Sequence, residues 1–141
     1  MADVDSIRGR PVVRGSAQGL ALVTDIPLSF WGGYDHSSGE ITDRRHPLSG
    51  AIAAQKRLVV PITRGSSTTT AVLLEAIKAG TAPAAIVTTN VDSFFALAAI
   101  VADEMYGSPI PIIVITPAEA FSLHTGDHVS ISADGWLRIS R

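Results

Sequence analysis

The spacing of hydrophobic residues changes along the chain, and each spacing predicts a different element. Two short apolar segments near the N terminus, residues 7–14 and 20–24, flank a Gly-containing turn and predict an antiparallel hairpin. Farther along, unbroken apolar runs alternate with segments of helical spacing. They predict buried strands and helices in this order: strand 58–62, helix 68–79, strand 84–89, helix from Asp92 or Ser93 to about Tyr106, strand 109–116, and a helical turn at 117–121 capped by Thr116.

Apolar and polar residues alternate with a period of about two at the C terminus. Residues 127–133 and 136–140 lie on either side of Asp134-Gly135, a dipeptide typical of a two-residue β-hairpin turn. The strand–helix–strand order in the middle of the chain requires parallel strands joined by crossover connections. We therefore expect a single α/β domain over residues 1–141, with a parallel or mixed core sheet and flanking hairpins.

Composition and charge narrow the class of protein. With 141 residues, 46% hydrophobic and 17% charged, the chain suits one compact globular domain. The formal net charge of −2 and the lack of a basic cluster beyond Arg44-Arg45-His46 favour no nucleic-acid partner. The apolar runs are too short to span a membrane, and the first residues do not have the pattern of a secretory signal.

The sequence contains no cysteine, which limits the chemistry available to it. Disulfides are excluded, and a cytoplasmic protein is therefore expected. Zinc sites, iron–sulfur clusters and thiol mechanisms that need cysteine are excluded within this chain as well. Any such centre must belong to a partner, and no metal ligands or cofactor are predicted here.

The strongest candidate for chemistry is the junction between the first buried strand and its helix, where Arg64-Gly65-Ser66-Ser67 leads into Thr68. A strand, a tight turn and a helix N terminus gather unpaired backbone N–H groups at the positive end of a helix dipole. Such a turn suits a carboxylate or phosphate, to which Arg64 would add a charge-assisted hydrogen bond. Taken alone, the stretch slightly favours a simpler role in which the serines only cap the helix.

A second unusual segment contains Phe30-Trp31-Gly32-Gly33, where the backbone can turn sharply or approach a ligand closely. Residues 35–47 follow; they are polar and predict a long surface loop with a short strand near 40–42. Loops of this length are usually functional or mobile. The alternative is an Ω-loop packed on Phe30 and Trp31, and the two descriptions are compatible.

Several familiar sites are missing from the sequence. A Walker-type phosphate loop needs a lysine after its second glycine, and none follows Gly65; the dinucleotide fingerprint is also absent. His124 and His128 have the spacing of a helical metal pair, but the residues between them predict a turn, so both are expected at the surface. The stretch around Ser66 lacks the second glycine of a Gly-x-Ser-x-Gly elbow, which leaves a hydrolase as a third choice at best.

Three motifs together carry a specific resemblance. Leu28-Ser29-Phe30-Trp31-Gly32-Gly33, the strand–Arg64-Gly65-Ser66-Ser67–helix junction and Ala82-Pro83-Ala84-Ala85-Ile86 resemble the swivelling domain of the aconitase X family. The resemblance covers almost the whole chain, from about Pro11 to the C-terminal hairpin. It implies a swivelling β/β/α fold.

The resemblance also implies an enzyme, a dehydratase whose large subunit carries cysteines, an iron or iron–sulfur centre and most of the substrate pocket. The small swivelling domain closes over that subunit and contributes a serine as proton acceptor, which corresponds to Ser66. This chain resembles the separate small subunit of such an enzyme. Other residues of the resembling motifs would hold a small hydroxy-acid substrate or line the closed site: Arg64, Gly65, Ser67, Thr68, Gly32 and Gly33.

The residue types fit this role. Dehydration of a β-hydroxy acid removes a proton beside a carboxylate, and a serine can accept it only where its alkoxide is stabilised. A helix N terminus and the neighbouring Arg64 favour that negative charge. Arg44, Arg45 and His46 are weaker candidates for contact with the large subunit or substrate, and a solvated loop is the favoured description of them.

The motifs also bear on the choice of substrate within the family. Archaeal mevalonate 5-phosphate dehydratase small subunits tend to carry Lys in place of Arg64 and Gly-Ser-Thr in place of Gly65-Ser66-Ser67, and Phe30-Trp31-Gly32-Gly33 resembles the hydroxyproline group more. The resemblance therefore favours dehydration of cis-3-hydroxy-L-proline to Δ1-pyrroline-2-carboxylate. The alternatives are dehydration of mevalonate 5-phosphate, or a swivelling or regulatory module without a catalytic residue.

Overall fold

The computed structural model describes residues 4–30, 32–61, 68–90, 93–107 and 110–140. Within these ranges the helices are α1 (Thr68–Ala79), α2 (Ser93–Tyr106) and α3 (Pro117–Phe121). The strands in the same ranges are β1 (Val4–Arg8), β2 (Arg10–Val13), β3 (Ala17–Val23), β4 (Arg57–Val59), β5 (Ala85–Thr88), β6 (Ile112–Val114), β7 (His128–Ile131) and β8 (Trp136–Ser140). The predicted helices are confirmed, and the predicted buried strands are confirmed in shortened form.

The strands of the described residues lie in one sheet in the order β1-β8-β7-β3-β4-β5-β6-β2. β3, β4, β5 and β6 run parallel at its centre, and antiparallel strands flank them on both sides, so the predicted mixed sheet is confirmed. β4, β5 and most of β6 are buried on both faces, which explains the absence of apolar–polar alternation in them. The face toward the helices carries Leu58, Ile86 and Ile112. The face toward the antiparallel strands carries Val59, Val87 and Ile113.

The two long helices cover one face of the parallel strands together with the long connection between β3 and β4. Leu73 of α1 and Phe95 of α2 belong to the same apolar core as Phe30 of that connection. The sequence pattern assigns Leu97 and Ile100 to the apolar face of α2. The structure instead leaves both side chains exposed, because α2 is apolar around most of its circumference and buries the side that carries Phe95.

The predicted N-terminal hairpin is wrong. Residues 7–14 divide at Gly9 into β1 and β2, which lie at opposite edges of the sheet, where β1 pairs with β8 and β2 pairs with β6. β3 pairs with β7 and β4 rather than with β2. The error has a physical cause, because alternation of apolar residues specifies a buried face but not the strand that supplies the hydrogen bonds.

The chain passes from one edge of the sheet to the other through the single residue Gly9. Its N–H donates to the carbonyl oxygen of Gly135 at 2.8 Å, and a Cβ atom at Gly9 would overlap the side chain of Ile113. The two edges therefore meet, and the sheet curls almost into a barrel. The inside of the curl is a second apolar core, which includes Val129 and Leu137.

The predicted C-terminal hairpin is confirmed, but its loop has three residues rather than two. Ser132 N–H donates to the carbonyl oxygen of Trp136 at 2.9 Å, and Gly135 N–H donates to the carbonyl oxygen of Ser132 at 3.0 Å. Gly135 has a φ of 95°, in the left-handed region. A left-handed residue at this position follows the type I turn of a three-residue hairpin loop. The glycine signal therefore located the turn correctly and misjudged only its length.

Arg57 is a buried charge at the amino-terminal end of β4. Its side chain is 4% exposed and lies over Gly19, where a Cβ atom would overlap the guanidinium. Desolvation lowers the pKa of Arg57, and its Nε has no hydrogen-bond partner among the described residues. This end of β4 is opposite the end that leads toward Ser66, so Arg57 is separate from the candidate site.

Candidate functional site at the carboxyl edge of the sheet

The candidate site lies where the parallel strands β4 and β5 end and the helices α1 and α2 begin. The predicted turn residues Arg64, Gly65, Ser66 and Ser67 fall outside the described residues, as does Trp31. Thr68 is the first residue of α1, as predicted. The structure thus describes what brackets the turn: Pro61 before it and the helix N terminus after it.

The N termini of α1 and α2 lie side by side at this edge. The hydroxyl of Thr70, in the first turn of α1, donates to the carbonyl oxygen of Phe94, in the first turn of α2, at 3.1 Å. Neither first turn contains an acidic residue, and Asp92, which directly precedes α2 in the sequence, lies outside the described residues. Paired helix N termini of this kind attract a carboxylate or phosphate.

The strand that leads into the turn is held firmly. Val60 N–H donates to the carbonyl oxygen of Val87 at 2.9 Å, which extends the β4–β5 pairing beyond β4. The carbonyl oxygen of Pro61 then accepts from the backbone N–H of Thr89 at 3.3 Å and from its hydroxyl at 3.4 Å. The backbone therefore enters residues 62–67 from a fixed position.

The aromatic–glycine segment packs beside the N terminus of α2. Phe30 is fully buried, stacks on Tyr34 with ring centroids 4.8 Å apart, and meets Phe95 edge-on at 5.3 Å. Because Phe95 lies in the first turn of α2, the segment reaches the same edge of the sheet as the turn. The short strand predicted near 40–42 appears as isolated bridges, in which Ile41 pairs with Tyr34.

Gly32 and Gly33 have structural reasons to be glycine. Gly32 has a φ of 72°, in the left-handed region, and a Cβ atom at Gly33 would overlap the backbone oxygen of Ser29. Thr42 holds both residues, because its N–H donates to the Gly33 oxygen at 3.0 Å and its hydroxyl to the Gly32 oxygen at 3.3 Å. Their predicted contact with substrate stays a prediction.

The basic cluster of the long loop divides into two kinds of residue. Arg44 and Arg45 are exposed, in keeping with a solvated loop. His46 is instead buried: its Nδ1 accepts from the N–H of Leu48 at 3.1 Å, and its Nε2 lies 3.1 Å from the carbonyl oxygen of Ile26. These partners assign the proton to Nε2. His46 therefore fixes the loop rather than facing solvent, and the description of it as solvated is wrong.

Neither the remaining histidines nor the acidic residues form a metal site in the described part of the chain. His124 and His128 are exposed, as predicted. Asp127 is buried and accepts from the N–H of His124 at 2.9 Å, which closes the turn before β7. Among the described residues, no group of three or more His, Asp or Glu side chains is placed to hold a metal ion.

Sequence reasoning missed a cleft of about 460 Å³ at the same edge. The ends of β3 and β4 form its floor, and α3 with the segment after it forms one wall, through residues that include Val23, Val59, Pro61, Ala120, Phe121 and Leu123. The capping box of α3 is the local signal that places this wall: Glu119 N–H donates to the Thr116 hydroxyl at 3.1 Å, and Thr116 N–H donates to the Glu119 carboxylate at 2.9 Å. No short sequence motif predicts the cleft itself, because its lining residues lie far apart in the chain.

In the described part of the chain, each helix is too short or too polar to cross a membrane. The candidate site is thus a polar helix-terminus pair beside an apolar cleft, on a curled mixed sheet. Such an arrangement can hold an anion at the helix ends.

Comparisons with known proteins agree with this fold and extend it. The chain is 44% identical to the cis-3-hydroxy-L-proline dehydratase of Pseudomonas aeruginosa over 94% of its own length but only 22% of that protein. It is 36% identical to the phosphomevalonate dehydratase small subunit of Thermococcus gammatolerans, with 91% of this chain and 92% of that subunit covered. The crystal structure of Thermococcus kodakaraensis aconitase X in its holo-form superposes with a TM-score of 0.85 and 33% identity, covering 96% of this chain and 98% of that one.

The family model of the aconitase X swivel domain matches residues 6–139, which include every helix of the described fold and almost all of its sheet. This match and the relatives above agree with the family that the sequence motifs resemble. The chain therefore belongs to the aconitase X swivel-domain family.

Proposed function

We propose that this chain is a single swivelling domain that acts as the small subunit of a hydro-lyase, which dehydrates cis-3-hydroxy-L-proline to Δ1-pyrroline-2-carboxylate. The observation that carries the proposal is the 44% identity to the Pseudomonas aeruginosa dehydratase over 94% of this chain. The chain spans about a fifth of that protein's length, 22%, and in this proposal a larger partner subunit supplies the rest of the enzyme.

In this proposal the chain supplies the base and part of the anion site. Ser66 takes the proton beside the substrate carboxylate as an alkoxide, which is stabilised by Arg64 and by the helix N terminus at Thr68. The C–O bond to the substrate hydroxyl breaks, so that this proton and the hydroxyl are lost together as one water. Gly65, Ser67 and Thr68 hold the carboxylate or orient Ser66. The paired N termini of α1 and α2, joined by the Thr70–Phe94 hydrogen bond of 3.1 Å, support an anion at this place.

The iron or iron–sulfur centre of the proposal belongs to the large subunit. This chain has no cysteine, and its described residues contain no cluster that could ligate a metal. The chain's own contribution is therefore limited to proton transfer, anion binding and closure over the partner. The proposal includes a cysteine-bearing large subunit, a cytoplasmic location and no nucleic-acid partner.

A second candidate substrate is mevalonate 5-phosphate. The observation in its favour is coverage, because the small subunit from Thermococcus gammatolerans matches over 92% of its own length at 36% identity. The lower identity makes this the weaker candidate. A third possibility is a module that closes or regulates the site without a catalytic residue, in which Ser66 only caps α1.

A pull-down of the tagged chain from its native host tests the proposal. We expect a larger, cysteine-containing protein to co-elute, and the eluate to convert cis-3-hydroxy-L-proline to Δ1-pyrroline-2-carboxylate. Mevalonate 5-phosphate is assayed on the same eluate as the matched substrate control. Conversion of the phosphate substrate alone would replace the first candidate with the second, and a chain that elutes alone and inactive would refute both.

A further inference from the structure

Phe121 is the most exposed large hydrophobic residue of the described chain, at 77%. It ends α3, a helix in which no residue is buried, so the fold of this chain leaves its ring in solvent. A single exposed hydrophobic residue is ordinary on a protein surface. This one differs because it stands at the wall of the apolar cleft described above.

The cleft offers few free polar groups to a small polar ligand. The hydroxyl of Thr24 accepts from the N–H of Ile26 at 3.1 Å, and the hydroxyl of Thr89 lies 3.4 Å from the carbonyl oxygen of Pro61. Asp25 and His124 lie at the exposed rim. An amino-acid or phosphate substrate would lose hydration at the floor of this cleft without gaining hydrogen bonds, whereas an apolar side chain would not.

We infer that this cleft is a docking surface for the large subunit, and that apolar side chains of that subunit fill it beside Phe121. The inference rests on the proposed function, because it names the partner of that same site. Pro61 lines the cleft and directly precedes residues 62–67, the segment that contains Ser66. In the proposed function the large subunit covers the end of β4 at which Pro61 lies, so it reaches the cleft as well.

The large subunit suits the cleft better than a second copy of this chain does. In the Pseudomonas aeruginosa relative, the matched region is 22% of the protein, so about four-fifths of that enzyme's sequence lies outside the equivalent of this domain. A second copy seated in the cleft would bring neither a metal centre nor a substrate pocket to this end of the sheet. Of the two occupants, only the large subunit leaves the proposed reaction possible.

The outer face of α2 is the competing apolar surface. Leu97, Ile100 and Met105 are 52%, 51% and 63% exposed and project from a convex helix. Convex helix faces need a groove on the partner, whereas the cleft beside Phe121 already provides the concave half of a joint. Leu97 therefore serves as the matched control: it is a large, half-exposed apolar residue outside the cleft.

The test compares Phe121→Glu with Leu97→Glu. Both side chains are exposed, so neither change should alter the melting temperature by more than a few degrees. The dissociation constant for the large subunit of the same organism is measured by isothermal titration calorimetry. We expect Phe121→Glu to raise it about tenfold or more, because a charge would be buried in an apolar joint, and Leu97→Glu to change it less than about threefold.

Activity separates this inference from the proposed function. Since the inference places Phe121 in the subunit joint and not in the substrate site, Phe121→Glu should regain the wild-type kcat at saturating large subunit. The wild-type complex could bind tightly, lose that binding in Phe121→Glu, and still not turn over cis-3-hydroxy-L-proline. That result would support the docking surface and refute the proposed function. An unchanged dissociation constant for Phe121→Glu, a larger effect of Leu97→Glu, or no complex with the wild-type chain would overturn the docking surface.

Discussion

Gly33 shows how strictly a single residue near the site is determined. A Cβ atom there would overlap the backbone oxygen of Ser29, which cannot move without moving the loop. Gly32 differs, because its φ of 72° suits glycine but the space around it is open, with nothing within 4 Å. Gly33 is therefore required by the lack of space for a side chain, whereas Gly32 is favoured by its backbone conformation.

We expect Gly33→Ala to lower the free energy of unfolding by about 3 kcal/mol, near the upper end of what overpacking costs. Gly32→Ala should cost only about 1 kcal/mol, the penalty for a left-handed alanine. Urea denaturation of both variants measures the difference. Equal losses, or a larger loss for Gly32→Ala, would contradict the close approach of Gly33 to Ser29.

The limits of sequence reasoning are clearest at single residues. Thr116 and Glu119 form a capping box whose start was predicted from the Thr-Pro signal, since both partners lie within four positions. His46 was misjudged because one of its two partners, the carbonyl oxygen of Ile26, is 20 residues away. A local pattern predicts hydrogen bonds within a turn, but it cannot predict those that depend on the path of a long loop.

At the scale of elements, the β3–β4 connection takes the place of a crossover helix. It packs Phe30 against α2 at one edge of the sheet and reaches the opposite end of α1, where the hydroxyl of Tyr34 donates to the carbonyl oxygen of Thr81 at 2.7 Å. The hydroxyl of Thr81 in turn donates to the carbonyl oxygen of His36 at 2.6 Å. The segment that carries Gly32 and Gly33 is thereby anchored on both long helices.

This anchoring predicts a pH dependence of stability. Burial raises the pKa of Tyr34 above its ordinary value near 10. The unfolded chain therefore releases this proton first, and the free energy of unfolding should fall as the pH rises above about 10. At pH 7, Tyr34→Phe should be less stable by about 1 kcal/mol because the hydrogen bond to Thr81 is lost.

Urea denaturation of wild type and Tyr34→Phe between pH 7 and pH 11 provides the measurement. The gap between the two proteins should narrow above about pH 10, because the variant has no phenol to ionise. Parallel curves over the whole range would show that Tyr34 is not the group responsible. The same variant then reports whether anchoring the loop affects catalysis in the assembled enzyme.

Prediction of the elements succeeded where the signals are local and failed where they depend on pairing. The predicted bounds of α1 agree with the structure because threonines begin it and Gly80 ends it. The proposed pairing of β2 with β3 failed, since the closure of the sheet through Gly9 brings β2 to β6 instead. Strand partners are set by the whole fold, and a period-two pattern contains no information about them.

At the scale of the whole molecule, closure of the sheet leaves the carboxyl ends of the parallel strands as the open side that carries the candidate site. The sheet edges meet at Gly9 and Gly135, both long helices cover one face, and the carboxyl ends of the parallel strands remain open beside the N termini of α1 and α2. The sequence singles out the Ser66 turn, which joins β4 to α1 in the chain, but that turn lies outside the described residues and its role stays a prediction. It could not predict the cleft, because residues from β3, β4 and α3 meet there only in the folded chain.

The central claim is that this chain supplies a serine base to a hydro-lyase, and Ser66→Ala in the reconstituted complex tests it most directly. Thr116→Ala is the matched control, because it removes a helix cap outside the turn and should cost about 1 kcal/mol of stability without abolishing turnover. Dissociation constants for the large subunit and for substrate are measured on the same samples, so that failed assembly is distinguished from lost chemistry. We expect Ser66→Ala to lower kcat on cis-3-hydroxy-L-proline by about 10²–10⁴-fold while the complex and substrate binding persist. A kcat within a few-fold of wild type would contradict the claim and leave Ser66 as a helix cap.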